Sequence, residues 1–421
     1  MKISMNPIRG CIDFMPSEAE RRQAVMKSIL KTYKDNGFLQ IKTPILENLE
    51  LLCNNDEGEN STKLMFRTIK RGDKLNLTKS NLTDKDIVEE GLRYDQTVPL
   101  ARFFANNRNN LPYPFKATQC DDSFRAERPQ KGRYRQFTQC DIDILGEASI
   151  LAEIEIISTV MAAYKNLGLN DLIVKINSRK ILQDITIRAG FTEEEGTEIC
   201  IIVDKIDKIG LDGVRNELLS RGFDESKIKA LCELLKNIRE QGLAYFKEQK
   251  IATTEVADME QLISILKNMV AKDYDVTFDV GIVRGQSYYT GTVFEVFTKQ
   301  GDYRGALCGG GRYDTMIEKM IGESVPAMGV GLGLDTTLLV LKEKGIIPSK
   351  EKKRVALIYN KNENFATVMA AKKKLMVTYE VSIMPQIKNQ SEMERKLKLS
   401  NFDGVTTTNS QQIRWFYKGE E

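Results

Sequence analysis

The residues best suited to chemistry crowd into one stretch, Phe115 to Gly146, which reads FKATQCDDSFRAERPQKGRYRQFTQCDIDILG. Gln139, Asp141 and Asp143 stand two apart, as do Asp121, Ser123, Arg125 and Glu127, so each set shares a face if its stretch is extended. Cys140, Ile142 and Ile144 then point the other way. Between the runs, Arg128, Lys131, Arg133 and Arg135 make a basic loop. The pattern predicts an antiparallel hairpin with one wet, charged face and one apolar face, beneath a mobile basic loop. Planar guanidinium groups grip phosphate oxygens two at a time, and carboxylates on the opposite strand hold a positive group. The expected ligands are a polyanion and a small cation, side by side.

The chain contains no histidine. That excludes an enzymic imidazole base, histidine metal ligands and a histidine pH switch, leaving carboxylates, arginines, tyrosines or the substrate itself to do the chemistry. Seven cysteines, at 11, 53, 120, 140, 200, 232 and 308, are odd in number and never spaced C-x-x-C. They read as small apolar fillers, not as a disulfide framework or a zinc site. The 62 basic and 59 acidic side chains leave a net charge of +3, so any nucleic-acid surface must be local. At 421 residues the chain is long enough for about two or three domains. No stretch has signal-peptide or membrane-spanning character, and the expectation is a soluble, cytoplasmic protein without membrane contact.

The elements that must position these groups follow from periodicity and punctuation. Ser17 and Glu20 form a capping-box pattern ahead of Val25, Ile29, Leu30 and Tyr33, predicting a helix over roughly 18–36. Phe38–Glu47 reads as a strand that Pro44 confines to an edge or an interface. A strand pair is expected at Leu64–Ile69 and Lys74–Leu77, and a helix at Ile150–Leu167. Leu172–Ile176 is a strand, after which Ser178–Glu255, including DKIDKIG at Asp204–Gly210, shows helical patterns. Strands are expected at Tyr274–Val283, Tyr289–Phe297 and Tyr303–Cys308. The run Gly309–Gly311 reads by itself as a tight turn. A last strand and helix lie in Val330–Leu341, the charged segment Lys342–Arg354 is a linker, and a small α/β module runs to Glu421.

Four segments in order, LRYDQTVPLAR at Leu92–Arg102, RAERPQKGRYRQF at Arg125–Phe137, VRGQSYYTGTVFEV at Val283–Val296 and GGGRYD at Gly309–Asp314, resemble histidine-tRNA ligase, a class II aminoacyl-tRNA synthetase. The resemblance covers most of residues 5–340. It implies an α+β fold: an antiparallel catalytic sheet flanked by helices, in two parts (1–177 and 256–341), around a helical insertion (178–255). A linker (342–354) and a shortened C-terminal α/β domain of the anticodon-binding kind (355–421) would follow. It further implies a homodimer built on Gly37–Glu47, with ATP, Mg2+ held by no dedicated protein ligand, L-histidine and tRNA(His) as cofactors and partners. The activity implied is formation of histidyl-adenylate and transfer of histidine to tRNA(His). Arg125 and Glu127 correspond to the residues at the α-phosphate and adenine of ATP, Arg133 to a loop arginine near the γ-phosphate, and Arg284 to an arginine at the α-phosphate. Arg125 and Arg284 would thus be the catalytic pair. Asp95, Thr97, Gln139, Asp143, Tyr288, Tyr289 and Tyr313 correspond to the amino-acid pocket, with one of the adjacent Tyr288 and Tyr289 expected in the pocket and the other packed away.

The chain also departs from the family. In Gly331-Leu-Gly-Leu-Asp-Thr-Thr337, Thr336 stands where the third motif carries arginine, and Arg284-Gly-Gln-Ser-Tyr-Tyr289 replaces Arg-Gly-Leu-Asp-Tyr-Tyr. The resemblance therefore admits two activities. One is the ligase; the other is a non-ligating relative, such as a histidine-sensing regulatory subunit of ATP phosphoribosyltransferase.

Overall fold

The computed structural model describes residues 3–54, 65–249, 251, 253–270, 274–284, 288–346, 352–410 and 412–416. Two compact units emerge, residues 1–11 with 26–346 and residues 12–25 with 347–421.

The first unit is built on an eight-stranded sheet of order β1-β5-β6-β11-β10-β9-β7-β8. The strands are β1 Leu39–Gln40, β5 Phe115–Phe124, β6 Gln136–Leu145, β7 Leu172–Ser178, β8 Tyr274–Phe278, β9 Thr292–Thr298, β10 Cys308–Arg312 and β11 Ala327–Gly333. The pairs from β5 across to β7 are antiparallel, and β1 and β8 add in parallel at the two edges. The hairpin β5–β6 is the longest ladder, running from Phe115 opposite Leu145 to Phe124 opposite Gln136. Its apolar face is sealed by helices: Tyr33 of the helix Pro16–Asp35 donates to the Cys140 carbonyl at 3.2 Å, and Leu151–Asn166 buries Ile156, Ile157, Val160 and Tyr164. Fully burying each such side chain is worth about 1.5–3 kcal/mol. A small sheet of β2 Leu46–Asn48, β4 Val88–Leu92 and β3 Arg67–Ile69 stands beside it.

Helices Arg179–Arg188, Glu193–Val203, Ile206–Ser220, Glu225–Gln241, Ala244–Glu248 and Thr254–Val270 occupy the chain between β7 and β8. The second unit carries the four-stranded sheet β13-β12-β14-β15, namely Glu380–Pro385, Arg354–Tyr359, Gly404–Thr407 and Arg414–Trp415, with helices Phe365–Leu375 and Gln390–Leu399.

Several local expectations fail for identifiable reasons. The single strand Phe38–Glu47 breaks into β1 and β2, which pair in different sheets on either side of Pro44. The Ser17–Glu20 box does not start the first helix, which begins at Pro16; Glu20 instead pairs with Arg354 and accepts from Asn401. β3 pairs with β4, whereas Gly72–Lys74 is a 3-10 turn; Leu64 lies outside the described residues. Tyr303–Cys308 is not a strand, and the glycines that read as a turn form β10 inside the sheet. The linker segment is helical up to Glu343 and becomes strand at Arg354, its residues 347–351 lying outside the described ones.

Candidate active site

The floor of the site is cleared by glycine. On β11, Gly329, Gly331 and Gly333 pair with Asp143, Asp141 and Gln139 of β6, and Gly309 of β10 pairs with Gly331 on one side and Glu295 of β9 on the other. Directly paired residues share a face. A Cβ on Gly329 would overlap Asp143 Oδ1, one on Gly331 would overlap Gln139 Nε2, and one on Gly309 would come within 2.5 Å of Arg284 Nη1. The polar side chains therefore lie across stretches of two strands whose facing positions, 309, 329, 331 and 333, are glycine. A signal for this was present in the alternating glycines of AMGVGLG, though the spacing alone does not say which face they clear.

Over one end of this floor lies an open cavity of about 210 Å³ lined by Arg125, Glu127, Arg133, Gln139, Arg284 and Glu295, among others. Arg125 donates through Nε to the Tyr94 carbonyl at 3.0 Å and stacks 5.1 Å from the Phe137 ring, which aims the rest of its fork at the cavity. Within the basic loop Gln130 and Arg133 exchange backbone hydrogen bonds, Arg135 donates to the Glu127 carbonyl at 3.1 Å, and Lys131 pairs with Glu343 at 2.8 Å. Arg284 pairs with Glu295 at 2.5 Å, and its Nε is buried without a partner among the described residues. Thr336 lines the same cavity, its hydroxyl donating to the Gly333 carbonyl at 3.0 Å.

The other end is closed, which overturns the expectation of a wet face. Asp141 and Asp143 are only 3% and 4% exposed, because the segment Arg93–Gln96 and the tyrosines of β9 and β10's flanks cover them. Tyr313 donates to Asp143 Oδ1 at 2.6 Å; Tyr288 donates to Asp95 Oδ2 at 3.3 Å. Asp95 Oδ1 accepts from the Val98 N–H at 3.2 Å and so caps the helix Thr97–Asn107, of which half-buried Thr97 is the first residue. Tyr288 and Tyr289 do not alternate across a strand, since β9 starts only at Thr292. Their rings lie 4.7 Å apart and pack on the same core cluster as Tyr313.

Three carboxylates in this closed space disfavour one another's ionisation. Burial, offset in part by the Tyr313 hydroxyl and aided by Asp95, raises Asp143 to about 7. Burial, then Asp143 and Asp95, hold Asp141 well above the ordinary carboxylate range. Asp141 Oδ1 and Gln139 Oε1 are both buried without a hydrogen-bond partner among the described residues. Two adjacent acceptors left open in this way fit a cationic donor.

Of the residues singled out from sequence, Arg125, Glu127, Arg133, Gln139 and Arg284 meet in the open cavity. Asp95, Asp143, Tyr288, Tyr289 and Tyr313 gather in the closed cluster, and Arg284 joins the two, its guanidinium 5.9 Å from the Tyr289 ring. Asp141 and Glu295 escaped that selection. Asp141 was visible as the middle of a three-residue face; Glu295 was not, because its meeting with Arg284 depends on the glycine at 309.

An antiparallel sheet with arginines at one end of its face, a buried carboxylate cluster at the other and helices sealing its back defines the catalytic fold of class II aminoacyl-tRNA synthetases. A profile of histidyl-tRNA synthetase matches residues 10–337. Histidine-tRNA ligase of Leifsonia xyli subsp. xyli is 35% identical over 387 residues, spanning 89% of this chain and 88% of that protein. The Cytophaga hutchinsonii histidine-tRNA ligase is 33% identical over 366 residues, spanning 83% and 80%. Among solved structures, histidyl-tRNA synthetase from Nostoc sp. PCC 7120 superposes with a TM-score of 0.73 at 24% identity, covering 96% of this chain and 91% of that one. An ATP phosphoribosyltransferase regulatory subunit/histidyl-tRNA synthetase from Bacillus halodurans gives 0.75 at 22% identity, covering 97% and 99%. The chain belongs to the histidyl-tRNA synthetase family.

Proposed function

We propose that the chain activates L-histidine with ATP and transfers it from histidyl-adenylate to tRNA(His). The observation that carries this reading is the adjacency of an arginine-lined cavity and a buried acidic cluster with two acceptors unpartnered among the described residues, joined through Arg284. The ammonium of histidine fits Gln139 Oε1 and Asp141 Oδ1, while Asp143, Tyr313, Asp95 and Tyr288 supply partners for the imidazole nitrogens. A buried site of this kind rejects side chains that cannot complete its hydrogen bonds.

The substrate carboxylate, with a pKa of roughly 3.5, is already ionised and attacks the α-phosphorus without a general base. Charge then builds on the α-phosphate oxygens as pyrophosphate leaves. Arg284 and Arg125 stabilise it, and one such preorganised donor is worth about 3 kcal/mol. Arg133 and Glu127 hold the remaining phosphates and the adenine. None of these steps needs an imidazole on the protein.

Mg2+ would arrive on the triphosphate, and the carboxylates that line the cavity, Glu127, Glu295 and Asp335, could complete its shell. The same reading makes the protein a cytoplasmic homodimer. Leu39, Ile45 and Leu46 along the edge at β1 and β2 are apolar and exposed, in keeping with an interface there. The C-terminal unit would read the anticodon.

Histidine-dependent exchange between pyrophosphate and ATP tests the reading. Exchange with histidine alone among the amino acids, reduced at least 100-fold in Arg284→Ala, supports it. A second reading, a pocket that senses histidine without consuming it, rests on Thr336; tight histidine binding with no exchange favours that one.

A further inference from the structure

Arg284 has φ +66°, a left-handed conformation that a residue with a side chain keeps only where its surroundings enforce it. Those surroundings can be named. Asn177, fully buried at the end of β7, donates through Nδ2 to the carbonyls of Val280 at 3.1 Å and Ile282 at 2.8 Å. Arg179, two residues on, donates through Nη2 to the Arg284 carbonyl at 2.9 Å, and its backbone N–H donates to the Gly291 carbonyl at 2.9 Å. One residue thus ties down both Arg284 and Gly291, the two ends of the stretch that carries Tyr288 and Tyr289.

Arg179 is itself well anchored. It opens the helix Arg179–Arg188, which Ser178 caps, and its guanidinium lies against the Cys200 thiol of the helix Glu193–Val203. Asp204, the first residue of the DKIDKIG run, faces Arg284: burial and then Glu295 raise its carboxyl above the ordinary range, offset in part by the Arg284 guanidinium and backbone N–H. Further along that run, Asp207 reaches Lys175 of β7, which also pairs with Asp279 at 2.7 Å. The helices between β7 and β8 therefore close on the segment that ends in Arg284.

We propose that Arg179 is a positioning residue for adenylate formation: without lining the cavity, it holds Arg284 in its left-handed backbone and keeps the Tyr288–Tyr289 pair in place. The inference rests on the proposed function. Because the donor acts on Arg284, whose charge matters in the transition state, its loss should fall on turnover more than on ground-state binding.

The test uses the full chain with Arg179→Met, which keeps the apolar stem and the backbone bond to Gly291 but removes the side-chain donors to Arg284, and Arg179→Lys, which keeps one side-chain donor. Arg179→Met is expected to lower kcat for histidine-dependent pyrophosphate exchange at least tenfold, with KM for histidine and ATP within threefold of wild type. Arg179→Lys should stay within threefold in kcat. Backbone hydrogen exchange in Val280–Arg284 should speed up at least tenfold in Arg179→Met, with the helices and the β5–β6 ladder unchanged, and stay at the wild-type rate in Arg179→Lys. Wild-type kcat in Arg179→Met overturns the proposal, as does a loss shared equally by both variants and accompanied by faster exchange throughout the fold. If the wild-type chain shows no pyrophosphate exchange, the proposed function falls, and the hydrogen-exchange arm still decides the positioning. Acceleration confined to Val280–Arg284 upholds it; no acceleration refutes it.

Discussion

Two side chains on β6 separate what is legible in a sequence from what is not. Asp143 belonged to the residues the family resemblance assigns, and it lies against Tyr313 in the closed end of the site. Asp141 shares its face but gained meaning only from the fold, which buries it and leaves one oxygen open. Between pH 4 and about 7 the folded chain keeps Asp143 protonated while the unfolded chain releases that proton. The native state then binds more protons, so stability falls as pH rises through this window. Asp143→Asn should flatten that fall, as read from denaturation midpoints across pH 4–8; an undiminished slope would place the titration elsewhere. Asp141→Asn removes the carboxyl that would ionise against the ligand's ammonium, and a charged hydrogen bond is worth about 1.5–3 kcal/mol. Histidine KM should rise roughly 10- to 100-fold at constant KM for ATP, measured by pyrophosphate exchange.

At the level of elements, the hairpin was readable because ten-residue alternation on each arm fixes both register and face. The glycine strand β10 was not, because glycine advertises turns and lacks the side chains by which strands are recognised. Its function is to leave room. Gly309→Ala should test this cheaply: the displaced atom is the tip of a flexible arginine, so the fold should survive while kcat falls at least tenfold. Arg312 of the GGGRYD segment proves to be structural, bound in two-pronged fashion to buried Glu153 through Nε at 2.8 Å and Nη2 at 2.5 Å. Arg93 of the LRYDQT segment is fully buried and donates to the carbonyls of Asp122 and Thr43, with Asp121 at 3.2 Å. Breaking a buried pair from one side costs about 3–5 kcal/mol, so Arg93→Met should lower the denaturation midpoint sharply. A midpoint unchanged from wild type would mean the cluster contributes specificity alone.

For the whole molecule, the sequence motifs located the catalytic sheet and the chain order of its parts. What they left open was how two clusters far apart in sequence meet, because that depends on β9, β10 and β11 lying side by side. Thr336 stands where the family resemblance implies an arginine. Its side chain lines the cavity with Arg133 and Arg125, and the tip of the basic loop at Gly132 packs toward it. Thr336→Arg would add a guanidinium beside the phosphates, and KM for ATP should fall about tenfold; an unchanged KM would show that the loop arginines already saturate the triphosphate. On the proposed function, one continuous site would seat histidine's ammonium and a nucleotide's α-phosphate on either side of Arg284. A crystal structure with histidine and a non-hydrolysable ATP analogue measures it directly. The account predicts the ammonium within hydrogen-bond reach of Gln139 Oε1 and Asp141 Oδ1, and the α-phosphate between Arg125 and Arg284. Histidine bound elsewhere, or Arg284 still paired with Glu295 and turned from the phosphate, would contradict it.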